Sequence, residues 1–185
     1  MRDRIFVFAA VLITLLARAA CAEDKTPVLV RTTGTAQIDG TIAASEYNLT
    51  VDLARAKLAL LWTEDTLTIG VTAETKGWVA VGLGSRRMDK AIIFIGYATG
   101  DQGQLKIQKG AGHSHGDIDS KAMTSYAITE KGKGTTMEVA LKASSFIVPD
   151  QTGLDLIVAF GGSDSFSGFH RFRTPLSVSL QKQAP

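Results

Sequence analysis

The chain has 185 residues, of which 45% are hydrophobic, with 20 basic and 18 acidic side chains. Cys21 is its single cysteine, which excludes intrachain disulfides, cysteine-ligated zinc, iron–sulfur clusters and covalent haem attachment through two cysteines. Any metal or cofactor must therefore be held by other side chains and by packing.

The first 22 residues have the pattern of a secretory signal peptide. Arg2 and Arg4 precede an apolar run over residues 5–17, and residues 20–22 (Ala-Cys-Ala) offer a small-x-small cleavage site. We expect an exported protein, periplasmic or secreted, whose mature chain spans residues 23–185 as a single domain. A lipoprotein anchored through Cys21 is the less favoured alternative, because Arg18 stands where an apolar residue is expected.

Removal of this leader makes the formal charge of the chain neutral. The leader holds three of the 20 basic and one of the 18 acidic side chains, so the mature chain has 17 of each. A neutral balance argues against nucleic acid or an anionic membrane as the partner. The mature chain also has no apolar run long enough to span a membrane.

Short strands separated by turn residues dominate the rest of the chain. Residues 58–62 and 67–73 predict a hairpin around Glu64-Asp65. Further strands are predicted at 79–84, 91–98, 104–109, 122–130, 136–142, 154–160 and 175–180. We therefore predict an all-β protein with an immunoglobulin-like antiparallel β-sandwich of about ten strands. The polar segment 36–47, with its Asp39-Gly40 turn, is expected to close one end of the sandwich.

The predicted strand over residues 79–84 has one bulky and one bare face. Branched residues at 79, 81 and 83 alternate with Ala80, Gly82 and Gly84. Glycines inside a strand cost packing and backbone entropy, so the bare face predicts a bulge or the close approach of a flat group. Met88 follows in the loop.

Residues 110–119 form the longest predicted irregular stretch. His113, His115 and Asp117 alternate there, so an extended segment would place them on one side, in an arrangement able to clamp a metal. The alternative is a polar surface loop, which we favour because no further ligand is evident.

Two stretches resemble the DOMON domain, which occurs in the cytochrome domain of cellobiose dehydrogenase and in secreted bacterial proteins. They are Gly-Trp-Val-Ala-Val-Gly-Leu-Gly with its loop methionine, and residues 157–166 followed by Phe169-His170. In haem-binding members a loop methionine and a late histidine are the axial ligands of non-covalent haem b. The resemblance implies that Met88 and His170 hold the iron here, with no open position for oxygen or substrate.

The resemblance also implies a role, and the glycines, aromatic rings and arginine around the two ligands suit a flat apolar cofactor. Six-coordinate haem implies one-electron transfer without catalytic activity of its own, and a redox partner protein such as a membrane cytochrome. Besides Met88 and His170, the expected haem-binding residues are Trp78, Gly82, Gly84, Phe94, Gly161, Phe169 and Arg171. DOMON domains also include modules that bind sugars or proteins, so a haem-free module for carbohydrate or a protein partner is the alternative.

Overall fold

The computed structural model describes residues 25–182, and the predicted signal peptide lies outside them. Within this range the chain forms two β-sheets. The first contains, in spatial order, β1 (Val28–Val30), β12 (His170–Gln181), β11 (Gly153–Gly161), β5 (Val79–Leu83), β6 (Ile92–Thr99), β7 (Gln102–Ala111) and β8 (Ser114–Asp117). The second contains β2 (Leu49–Leu53), β3 (Ala56–Trp62), β4 (Thr66–Ala73), β10 (Gly134–Lys142) and β9 (Met123–Lys131). A 3-10 turn spans Ala143–Ser145.

The all-β prediction is confirmed, with two differences in detail. The hairpin expected around Glu64-Asp65 is β3–β4. The described residues form twelve strands instead of about ten, and β1 pairs with β12 in parallel, so the sandwich is not wholly antiparallel. No helix formed by residues 25–182 has the length and apolar character that a membrane crossing requires.

The segment expected to be irregular at 110–119 is largely a hairpin between β7 and β8. Ala111 pairs with Ser114 across a two-residue turn, and Gly110 pairs with His115. Gly112 has a φ of 60°, a conformation that glycine adopts without steric cost. The sequence pattern missed this hairpin because β8 is short and polar.

The main core lies between the two sheets. Alternate residues of β5 point into it, so Val79, Val81 and Leu83 are almost fully buried there. Phe94 on β6 is also fully buried in this core, where it packs edge-on against Phe146 at a ring distance of 5.9 Å. Phe94 is therefore a core residue and does not reach the outer face where the predicted haem site would lie.

The outer face of the five-stranded sheet is covered by the segment 36–47. Tyr47 packs there with Ala59 and Leu61, and a Cβ added at Gly70 would lie 2.8 Å from Ile42. The segment thus runs across a sheet face, whereas the sequence led us to expect it at one end of the sandwich. It leaves the outer face of the other sheet for a binding site.

Candidate functional site on the outer face of the seven-stranded sheet

The outer face of the seven-stranded sheet carries a second apolar cluster. Its buried members are Trp78, Ala80, Ala91, Ile93 and Ile95. They belong to β5, β6 and the residues just before these strands, and they alternate with the residues that face the main core. Met88, from the β5–β6 loop, and Phe166, from the β11–β12 loop, pack against the cluster from outside. Two loops therefore meet the same apolar surface.

The glycines of this face make room for the protein's own side chains. A Cβ at Gly82 would lie 2.8 Å from Cγ2 of Ile157 and 3.0 Å from Cβ of Ala91. A Cβ at Gly161 would overlap the Trp78 indole ring. The close approach of a flat group, predicted for the bare face with Gly82 and Gly84, is found instead at Gly161, where the flat group is the Trp78 indole.

Gly84 has a different role from the glycines inside the strands. Its φ is 82°, and a Cβ there would meet nothing within 4 Å. It lies directly after β5, where its N–H donates to the carbonyl of Asp155 at 2.9 Å. Gly84 therefore turns the chain out of the sheet into the loop that carries Met88.

Met88 lies over the β6–β7 side of the outer face. Its carbonyl accepts a hydrogen bond from the N–H of Ala91 at 3.1 Å, and it stands so close to Gly110 that a Cβ there would collide with it. The Cγ atom of Met88 would be 3.3 Å from that Cβ. The backbone contact with a glycine therefore fixes the position of the predicted thioether ligand.

His170 lies at the other end of the same face. It pairs with Gly161, whose N–H donates to the carbonyl of Trp78 at 3.0 Å. Trp78 marks the His170 end of β5, and Gly84 marks the Met88 end. The chain between them rises by about 20 Å at about 3.4 Å per residue. Two donor atoms on one metal ion lie about 4–5 Å apart, and each side chain reaches about 4–5 Å from its Cα, so together they span about 13 Å and fall short of this rise. The structure does not bring Met88 and His170 together.

The remaining predicted cofactor residues are divided among three places. Trp78 belongs to the outer cluster, and its Nε1 is buried without a hydrogen-bond partner in the described part of the chain. Phe169 is 95% exposed beside His170, in the β11–β12 connection. Arg171 lies at the end of the sandwich, where its guanidinium rests against Gly162.

A cleft on this outer face was not predicted from the sequence. It has a volume of about 420 Å³ and lies between the β11–β12 loop and strands β6, β7 and β8. Tyr97 and Phe166 form an aromatic pair in it, with ring centres 4.8 Å apart. The lining residues are Tyr97, Lys106, Gln108, His115, Asp164, Ser165, Phe166 and Ser167. The sequence signal was faint, because only the alternation of Lys106 and Gln108 on β7 marked a polar stripe.

The polar atoms in the cleft are only partly paired. Asp117 accepts hydrogen bonds from Lys106 Nζ at 2.5 Å and from Gln108 Nε2 at 2.7 Å. The hydrogen bond from Lys106, and then that from Gln108, lowers the pKa of the Asp117 carboxyl. In contrast, Oε1 of Gln108 and Nδ1 of His115 are buried and have no partner among residues 25–182.

The alternating His113, His115 and Asp117 form no evident metal centre. Asp117 is engaged by Lys106, and His113 lies in the two-residue turn of the β7–β8 hairpin. Among the residues that the structure describes, no group of three or more histidine, cysteine, aspartate or glutamate side chains is arranged to hold a metal ion.

Comparison with known proteins identifies the fold. Neither a protein family model nor a curated protein matches the sequence. The cytochrome b domain of pyranose dehydrogenase from Coprinopsis cinerea is similar in structure, with a TM-score of 0.54 at 10% identity over 67% of this chain and 76% of that one. The cytochrome domain of Myriococcum thermophilum cellobiose dehydrogenase has a TM-score of 0.54 at 10% identity, over 71% of this chain and 81% of that one.

A carbohydrate-binding module shares the architecture over a longer stretch. A family 9 module from Caldicellulosiruptor kristjanssonii, solved with cellotriose, has a TM-score of 0.52 at 13% identity over 86% of this chain and 95% of that chain. The fold is thus common to cytochrome domains and to carbohydrate-binding modules. Together these similarities show that the chain has a DOMON-like β-sandwich fold.

Proposed function

We propose that the protein is a binding module whose outer-face cleft holds a carbohydrate. The observation that carries this proposal is the pair of buried, unpartnered polar atoms, Gln108 Oε1 and His115 Nδ1, on two residues that line the cleft together with Phe166. Buried polar atoms are nearly always hydrogen-bonded, and leaving one unpaired costs about 1–3 kcal/mol. A ligand hydroxyl that reached either atom would remove that cost.

The apolar part of the cleft suits the C–H groups of a sugar ring. A pyranose presents C–H groups on its ring faces and hydroxyls around its rim. The aromatic pair of Phe166 and Tyr97 offers an apolar surface, with Lys106 Nζ 5.2 Å from the centre of the Phe166 ring. Gln108 and His115 line the cleft beside this pair. The lining of the cleft is more polar than apolar, which suits a ligand rich in hydroxyl groups, and the cleft volume is within the usual range for small-ligand sites.

The similarity to the cellotriose-bound module agrees with this proposal, since it extends over nearly the whole described chain. Export through the predicted signal peptide would expose the cleft to saccharides outside the cytoplasm. The protein would then act by binding, with a saccharide as its partner and without a catalytic step of its own.

Haem binding is the second candidate, and the similarity to two cytochrome domains favours it. Met88 packs on the apolar cluster, so a thioether is available at the outer face. A haem b there would make the protein a one-electron carrier with a redox partner such as a membrane cytochrome. The separation of Met88 from His170 does not fit the axial pair that this role requires, so haem ranks second.

Calorimetric titration of the purified mature chain with a panel of soluble oligosaccharides, including cellotriose, tests the first candidate. We expect saturable binding that weakens about tenfold or more in Gln108→Ala and Phe166→Ala. Gln181→Ala, an exposed glutamine on β12, is the matched control and should bind as the wild type does. Lack of binding to any saccharide would contradict the proposal.

Absorption spectroscopy of the same protein after addition of haemin separates the second candidate from the first. A stoichiometric spectrum of six-coordinate low-spin haem, lost in both Met88→Ala and His170→Ala, would favour the electron carrier. It would also mean that the two loops move together on loading. We expect no such spectrum.

A further inference from the structure

A second cavity lies at one end of the sandwich, away from the outer-face cleft. Its volume is about 290 Å³. It is formed where the β2–β3 turn, the segment after β4, the β9–β10 turn and the ends of β11 and β12 meet. The lining residues are Arg55, Glu74, Thr75, Lys76, Lys133, Phe160, Gly162 and Arg171. Four cations thus surround one carboxylate in a chain whose predicted mature form is neutral.

Arg55 is held in place by an aromatic ring. Its guanidinium carbon lies 5.3 Å from the centre of the Phe160 ring, and Phe160 in turn stacks on Phe172 at 5.2 Å. A guanidinium over an aromatic face is stabilised by the negative potential of that face. The Arg55 side chain therefore reaches the cavity in a supported position.

Arg171 is directed to the cavity by an irregularity in the β11–β12 pairing. The register shifts between Phe160, which pairs with Phe172, and Gly161, which pairs with His170, so Arg171 is the unpaired extra residue. Such bulges re-aim a side chain out of the regular alternation. The guanidinium lies against Gly162, where a Cβ would come within 2.6 Å of Nη1. The missing side chain of Gly162 leaves the space that the Arg171 guanidinium occupies.

The cations of the cavity are poorly neutralised by the protein. Lys76 pairs with Glu130 at 3.5 Å. Within residues 25–182, Arg55, Lys133 and Arg171 form no ion pair with a carboxylate. Gathering unpaired cations around a concave site raises the local potential and costs stability unless an anion is bound.

We propose that this end cavity is an oxyanion site that binds a phosphate or carboxylate group between Arg55 and Arg171. The planar guanidinium presents a fork of N–H donors that matches the two oxygens of either group. Lys133 adds a point charge at the rim. The volume lies at the small end of the range for ligand sites, which fits a single anionic group.

Two sources of such an anion are compatible with the same chemistry. One is free inorganic phosphate, and the other is the carboxylate of an acidic sugar such as a uronic acid. The two are separated by titrating the mature chain with inorganic phosphate, with glucuronate and with neutral glucose, each followed by calorimetry at low ionic strength.

We expect phosphate, glucuronate or both to bind, and we expect this binding to weaken as the salt concentration rises. Glucose should not displace either anion from the cavity. Arg55→Gln and Arg171→Gln should each weaken binding about tenfold or more, because each removes charge-assisted hydrogen bonds. Arg86→Gln, an exposed arginine in the β5–β6 loop, is the matched control and should leave binding unchanged.

Lack of binding of both anions to the wild type would overturn the inference, as would unchanged affinity in either cavity variant. Should Arg55→Gln unfold, as a thermal melt would reveal, Lys133→Gln replaces it, with an expected loss of about threefold to tenfold. Gln108→Ala, in the outer-face cleft, should retain anion binding, so failure of the saccharide proposal and failure of this one are distinguishable.

Discussion

The phenol of Tyr47 donates a hydrogen bond to the buried carboxylate of Glu138, joining the segment 36–47 to the five-stranded sheet. Glu138 is fully buried on β10, and its other oxygen accepts the backbone N–H groups of Asp39, Gly40 and Thr41 at 3.1, 2.7 and 3.1 Å. One buried carboxylate thus satisfies four donors. It anchors a long connection for which the sequence had no strand pattern.

Replacing Glu138 should therefore lower the stability of the whole domain and not only remove one local contact. In Glu138→Ala, four donors lose their acceptor, and we expect a loss of about 3 kcal/mol or more in the free energy of unfolding. Urea denaturation measures it. Glu64→Ala, in the exposed β3–β4 turn, is the control and should change stability by less than about 0.5 kcal/mol. A loss below about 1 kcal/mol in Glu138→Ala, the contribution of a single ordinary hydrogen bond, would contradict the anchoring role.

The same pair predicts a loss of stability at alkaline pH. Burial, and then the hydrogen bond to Glu138 and its charge, raises the pKa of the Tyr47 phenol. A raised pKa contributes stability that is fully present below the unfolded value of about 10 and is lost as pH rises above it. The free energy of unfolding of the wild type should fall between about pH 9.5 and 11.5 more steeply than that of Tyr47→Phe. Equal slopes would rule out this linkage.

Asp117 should titrate at lower pH than an ordinary aspartate. The hydrogen bond from Lys106 is the main cause of its lowered pKa. Its contribution to stability is therefore present above the unfolded value of about 3.9 and is lost as pH falls through the folded pKa. NMR titration of the Asp117 carboxyl should show the lowered pKa, and Lys106→Ala should return it toward the ordinary value. An unchanged pKa in Lys106→Ala would refute the assigned cause.

Gly161 should not tolerate even one added methyl group. A Cβ there overlaps the Trp78 indole, so Gly161→Ala should force Trp78 to move and cost about 1–3 kcal/mol of stability. Thermal unfolding and tryptophan fluorescence would report both effects. Gly116→Ala is the matched control, since a Cβ at Gly116 meets nothing within 4 Å. Similar melting temperatures for the two variants would show that the indole does not occupy this space.

Much of the fold follows from local patterns. The alternation in residues 67–73 and 136–142 predicted strands that the structure confirms as parts of β4 and β10. The turn residues also predict the hairpins between neighbouring strands, because a short connection leaves the two strands few registers in which to pair. The bare face of β5 was also evident, although the sequence did not reveal that Trp78 would lie against the nearby Gly161.

The sequence by itself determined most of the strands, their two-faced character and the presence of a loop methionine and a late histidine. Only the tertiary structure decided that Phe94 faces the core, since both faces of β6 are apolar and a period of two does not say which is inside. It also decided that Met88 lies beyond one end of β5, whereas His170, on β12, lies near the other end. That outcome depends on the pairing of β5 with β11, strands far apart in the chain, whose register no local pattern encodes.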